Sequence, residues 1–144
     1  MGIVLKKTFR FEAAHRLGKG YTGKCASIHG HSFNGVLHIS CDELDEFGMG
    51  VDYGDIQVFL DQIESEFDHK LILDSGDREL IELCKKQSWE LVVFENKNPT
   101  SEEIAAYIFE KATRYFQIHH PSVKVVSIRL AETCTAECEW TTES

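Results

Sequence analysis

The stretch CASIHGHSF at residues 25–33 sets a thiol, Cys25, four positions before His29, and a single glycine separates His29 from His31. On an extended strand, residues two apart point the same way, so these two imidazoles project side by side and Gly30 offers no obstruction. A third imidazole, His15, closes the alternating run TFRFEAAH at residues 8–15. If the two strands pair through the intervening loop, three neutral nitrogens converge on one side of a sheet. That donor set suits a divalent transition metal, zinc first, with three tetrahedral corners filled and the fourth open to water or substrate. Taken singly, each histidine reads more readily as a residue hydrogen-bonded at the edge of a core.

Cys25 leaves two chemistries open. As a fourth ligand it would close the shell of a structural zinc site; standing off, it would be a base beside a Lewis acid. Sequence spacing does not separate these. Cys134 and Cys138 are rival ligands, but without a close-spaced partner pair they read as small buried cysteines. Arg16, Lys19 and Lys24 fall within nine residues free of acidic side chains, whereas residues 43–68 are heavily acidic. Such a cationic loop suits a small anionic ligand, and equally a solvated surface.

The elements that must position these groups follow from periodicity. Phe9, Phe11, Ala13 and His15 share one parity of a half-buried strand. From residue 29 the alternation resumes, with His29, His31, Phe33, Leu37, Ile39 and Cys41 on one face of a second, antiparallel strand. Residues 16–28 between them, rich in glycine and polar side chains, read as a loop. In 55–67, Ile56, Phe59, Leu60, Ile63 and Phe67 recur at spacings of three and four, the stripe of an amphipathic helix. A second helix opens at NPTSEE, where Thr100 and Glu103 suit a capping box, with Ile104, Tyr107, Ile108 and Tyr115 as its apolar stripe. Residues 68–98 are less regular, with a short helix near 78–87 and a short strand in WELVVFE. VKVVSIRL and AECEWT supply two further strands. The order β-β-α-α-β-β predicts an α+β fold, an antiparallel sheet with two helices on one face.

Composition bounds the rest. A chain of 144 residues, 42% hydrophobic and 27% charged, predicts a single domain over 1–144 with a real core. The net charge of -9 argues against nucleic acid as partner. No apolar run is long enough to span a membrane, and the start lacks the order of a secretion signal, so a cytoplasmic protein is expected. Five cysteines without an export signal predict free thiols.

FEAAHRL, the C-x3-H-G-H of CASIHGHSF, the Asp68-His69 pair, NPTSEE and ETCTAEC occur in this order across nearly the whole chain. Together they resemble the 6-pyruvoyl-tetrahydropterin synthase family, and the three-residue gap after Cys25 resembles its bacterial 6-carboxy-tetrahydropterin synthase branch, which serves queuosine synthesis. The resemblance implies a tunnelling fold (T-fold), a homohexamer built as a dimer of trimers, and active sites between subunits. It also implies that His15, His29 and His31 bind zinc and that Cys25 is the catalytic base, with Asp68 and His69 as its proton-relay partner. Glu132 would anchor the pterin ring, with Thr100 and Ser101 lining that pocket. Glu132 shares the parity of Val126, Ile128 and Leu130, which points it toward the apolar side, where a carboxylate needs partners. A pterin's 2-amino and N3-H groups offer two parallel donors to its two oxygens.

The implied reaction converts 7,8-dihydroneopterin triphosphate to 6-carboxy-5,6,7,8-tetrahydropterin with release of acetaldehyde and triphosphate, and Arg16, Lys19 and Lys24 become candidates for the triphosphate. The 6-pyruvoyl product, by triphosphate elimination, is the alternative within the family; a non-catalytic zinc-binding protein is the alternative outside it. The segment 75–98 is longer than the family's short connection.

Overall fold

The structure, a computed structural model, describes residues 2–142. Strands β1 (Ile3–His15) and β2 (His29–Cys41) run antiparallel over their full lengths, from Ile3 opposite Cys41 to His15 opposite His29. The predicted alternation holds: Phe9, Phe11, Ala13 and His15 are buried from β1, and Phe33, Leu37, Ile39 and Cys41 from β2. Phe9 lies across Gly35, where a Cβ would fall 2.1 Å from its ring, so only glycine fits opposite that phenylalanine. Phe11 stacks between Phe33 and Phe67, with ring centroids 5.0 and 5.1 Å away. Truncating such a ring to alanine costs about 3–5 kcal/mol.

Helix α1 (Tyr53–Phe67) starts at Asp52, whose side chain accepts from the Gly54 N–H, and it buries the predicted stripe of Ile56, Phe59, Leu60, Ile63 and Phe67. Next come strand β3 (Lys70–Asp74), helix α2 (Arg78–Gln87) and strand β4 (Leu91–Phe94). Helix α3 (Ser101–His119) leads to β5 (Val123–Thr133) and β6 (Ala136–Thr141). The sheet order is β4-β3-β1-β2-β5-β6, and α1 and α3 pack into the core beneath β1, β2 and β5.

The α+β plan and its four antiparallel strands are those expected. In the segment 68–98 the short helix near 78–87 and the strand of WELVVFE form as α2 and β4, and one further strand appears that the alternation did not reveal: β3 joins β1 in parallel over Ala13–His15, and β4 joins β3 in parallel. KLILD has no period-two pattern because Ile72, Leu73 and Asp74 are all buried, as in parallel strands covered on both faces. On α3 the buried stripe is Ile104, Ala105, Ile108, Ala112 and Phe116, while Tyr107 and Tyr115 are half-buried. Small alanines there let the helix approach the sheet. Only half of the capping box forms. Thr100 Oγ1 accepts from the Glu103 N–H at 3.2 Å, but the Thr100 N–H donates to the Asn98 carbonyl and the Glu103 carboxylate pairs with Lys97.

Candidate metal centre

The antiparallel register puts His15 directly opposite His29, and the parity of β2 brings His31 to the same face. The three rings gather with centroids 4.6, 5.2 and 4.9 Å apart. One ligand nitrogen from each lies within 4.8 Å of the other two. All three Nε2 atoms are buried without a hydrogen-bond partner, an arrangement costly for polar atoms unless they meet a ligand.

The other ring nitrogens explain which tautomers are present. His15 Nδ1 lies 2.7 Å from the Pro99 carbonyl oxygen, and His29 Nδ1 lies 2.7 Å from the Ser27 carbonyl oxygen. A carbonyl only accepts, so both Nδ1 atoms carry the proton and both Nε2 atoms present a lone pair. Burial pushes His15 below the ordinary histidine range, partly offset by its bond to Pro99 and by the Glu132 carboxylate. A neutral imidazole is the form a metal needs. The donor set therefore fits a zinc-type ion with three nitrogen ligands. Among the described residues this is the one group of three or more such side chains close enough to share an ion, and Cys25 is not in it.

Glu132 reaches the same place by an irregularity. The β5–β6 register passes from Ala131 opposite Glu137 to Thr133 opposite Ala136, so Glu132 has no cross-strand partner. Bulges of this kind re-aim side chains beside functional sites. Its two oxygens stand 3.8 Å from His15 Nε2 and 3.8 Å from His31 Nε2. A second bulge, at Val126 between Val125 and Ser127, switches the buried parity. Val123 and Val125 are therefore buried, whereas Val126 is half-buried. The face of Glu132 is as predicted, but the strand reaches it through two irregularities.

Cys25 sits in a 3-10 turn, Lys24–Ala26, and is partly exposed. Asp68 caps the end of α1: its Oδ1 accepts from the Glu12 N–H at 2.8 Å, and its Oδ2 lies 2.7 Å from His69 Nδ1. His69, with φ 62° and a side chain 79% exposed, is not part of the histidine cluster, yet it lines one cavity of about 740 Å³ with His31, Lys70 and Trp89. Thr100 and Ser101 open α3 directly after Pro99. Of the basic candidates, Arg16 is engaged by the Ala26 carbonyl and Asp77, and Lys19 by Asn96, while Lys24 is exposed.

All five cysteines are free. Cys134, however, is exposed and Cys138 half-buried. Burial pushes the Cys138 thiol up, partly offset by the nearby Ser101 hydroxyl. Its place opposite Leu130 on β5 follows from the pairing of the two strands. Pro99, Asn98 and Asp77 were invisible as site supports, because they act through backbone groups and long-range contacts.

Three imidazoles with free Nε2 atoms on an α+β sheet form a donor group able to hold a metal ion. The chain matches the family model for 6-pyruvoyl tetrahydropterin synthase over residues 4–143, and it belongs to that family. It is 34% identical over 107 residues to the 6-carboxy-5,6,7,8-tetrahydropterin synthase of Rickettsia bellii, covering 74% of this chain and 77% of that one. To the protein of the same name from Synechocystis it is 32% identical over 142 residues, covering 95% and 92%. Among solved structures, an uncharacterised protein from Wolinella succinogenes superposes with a TM-score of 0.84 at 23% identity, covering 99% of both chains. The 6-pyruvoyl tetrahydropterin synthase of Caenorhabditis elegans superposes at 0.73 with 22% identity, covering 99% of this chain and 97% of that one. These likenesses establish the shared T-fold.

Proposed function

We propose that this chain is a zinc-dependent lyase, a 6-carboxy-5,6,7,8-tetrahydropterin synthase acting on 7,8-dihydroneopterin triphosphate in queuosine biosynthesis. The observation that carries the reading is the convergence of three unpartnered Nε2 atoms faced by Glu132, with a thiol outside the ligand set. The names of relatives at 32–34% identity support it.

His15, His29 and His31 hold the metal. Bound there, zinc supplies a Lewis acid that acidifies the substrate's side-chain hydroxyls and eases proton removal from the adjoining carbon. Cys25 takes that proton. His69, oriented by Asp68, returns protons from the cavity that it shares with His31. Glu132 accepts the pterin's paired N–H donors, and Thr100 and Ser101 line that end of the site. Arg16 and Lys19 already have partners, so Lys24 is the basic residue left to meet the triphosphate.

The protein acts in the cytoplasm as a homohexamer, a dimer of trimers. In support, β6 has a single neighbour, β5, and residues 3–12 of β1 pair only with β2, which leaves two sheet edges open to other copies. No helix among the described residues is long and apolar enough to cross a membrane. Incubation of the zinc-loaded protein with dihydroneopterin triphosphate, followed by mass analysis of the pterin, decides the activity. The carboxy product is expected. A pyruvoyl product would assign the chain to the other branch, and absence of both would refute the proposal.

A further inference from the structure

The turn that carries Cys25 has little of its own to hold it. Lys24–Ala26 buries no residue and has no side-chain cap, which are the marks of a segment that opens at low cost. What fixes it comes from the two residues after His15. The Leu17 N–H donates to the Cys25 carbonyl at 2.8 Å, and Arg16 Nε donates to the Ala26 carbonyl at 2.8 Å.

The far end of the same guanidinium leaves the loop. Arg16 Nη1 donates to Asp77 Oδ1 at 2.8 Å, in a pair whose side chains are only 27% and 14% exposed. Asp77 Oδ2 is buried without a partner and packs on Gly18, where a Cβ would sit 3.1 Å from it. Asp77 precedes α2, so the partner belongs to the β3-α2-β4 segment rather than to the four-stranded core. Asn98, in the connection from β4 to α3, adds a second tie, accepting from the Gly18 N–H at 2.9 Å. A planar guanidinium can serve a carbonyl and a carboxylate at once with its donors in fixed directions, which a lysine ammonium cannot reproduce.

We propose that Arg16 and Asp77 are positioning residues: their two-ended clamp fixes Cys25 relative to the three imidazoles, and through it the β3-α2-β4 segment sets the geometry of the site. The functional consequence rests on Cys25 acting as the base, as proposed above. The clamp itself does not, because thiol accessibility reports it without turnover.

The test uses full-length, zinc-loaded Asp77→Ala, Asp77→Asn and Arg16→Lys proteins. The rate of iodoacetamide alkylation at Cys25 is followed by peptide mass mapping, which separates it from the exposed Cys134. In Asp77→Ala and Arg16→Lys, Cys25 alkylation should rise about tenfold and kcat fall about ten- to hundredfold, with KM and zinc content close to wild type. Asp77→Asn retains an acceptor for Nη1 and should recover most of the wild-type alkylation rate. Unchanged Cys25 alkylation in both Asp77→Ala and Arg16→Lys would overturn the clamp, as would a change accompanied by equal loss of zinc and of melting temperature. A Cys25→Ser protein that kept full turnover would instead sink the assignment of the base and leave the alkylation result standing.

Discussion

The Pro99 carbonyl oxygen lies 2.7 Å from Nδ1 of His15, although 84 residues separate the two. That bond fixes the tautomer that leaves Nε2 free, and Asn98 secures the adjoining backbone by bonding both the N–H and the carbonyl of Gly18. Partners of metal-ligating histidines are commonly worth ten- to a hundredfold in affinity. Asn98→Ala should therefore weaken zinc binding about tenfold in competition with a chromophoric chelator. Affinity equal to wild type would show that Pro99 needs no such support.

Cys25→Ala separates an open site from a closed one. With the thiol outside the ligand group, zinc content by elemental analysis should stay at the wild-type level while turnover falls at least about a hundredfold. Loss of the metal together with activity would make Cys25 a ligand.

Removal of metal should destabilise the fold, since an ion bound only by the native state stabilises it by mass action, about 2.7 kcal/mol at a hundredfold excess over Kd. Chelator treatment is expected to lower the melting temperature of the wild type, and zinc to restore it. His29→Ala should respond to neither. A melting point indifferent to chelator in the wild type would argue against a resident ion.

Glu132→Gln keeps the side chain's shape but replaces one acceptor oxygen with a donor. Hydrogen bonds to charged groups are worth about 1.5–3 kcal/mol, so kcat/KM for the pterin substrate should fall about ten- to hundredfold. Zinc content measured on the same sample should not change. A variant with wild-type kcat/KM would remove Glu132 from pterin recognition.

The Asp68 carboxyl is held below the usual range, first by the Glu12 N–H and then by His69. A depressed carboxylate stabilises the fold above its unfolded value, about 3.9, and loses that contribution as pH falls through its folded value. The melting-temperature difference between wild type and Asp68→Ala should thus shrink as pH falls below about 4. Growth of the difference below about pH 4 would contradict the assignment.

Much of this site is local in origin and so legible in the chain. Parity alone put His15, His29 and His31 on the buried face with Phe11 and Phe33, because a strand has only two faces. The helices announced themselves through Ile56 to Phe67 and through the Thr100 cap. β3 did not, since a short parallel strand buried at Ile72, Leu73 and Asp74 shows no alternation. Val126 misled for a related reason: a bulge adds one residue and reverses parity with no mark in the residue types.

The sequence by itself therefore determined the three imidazoles and the strand pair that carries them, which depend on residue type and near-neighbour periodicity, and the membership of the 6-pyruvoyl tetrahydropterin synthase family, which rests on five motifs in order along the chain. Only the tertiary structure decided that Arg16 and Lys19 bond Asp77 and Asn96, that Pro99 sets the tautomer of His15, and that Asp77 reaches the turn of Cys25 through Arg16. Those are directional bonds between groups about 60 to 85 residues apart, and their partners are selected by how the sheet and its connections pack in space.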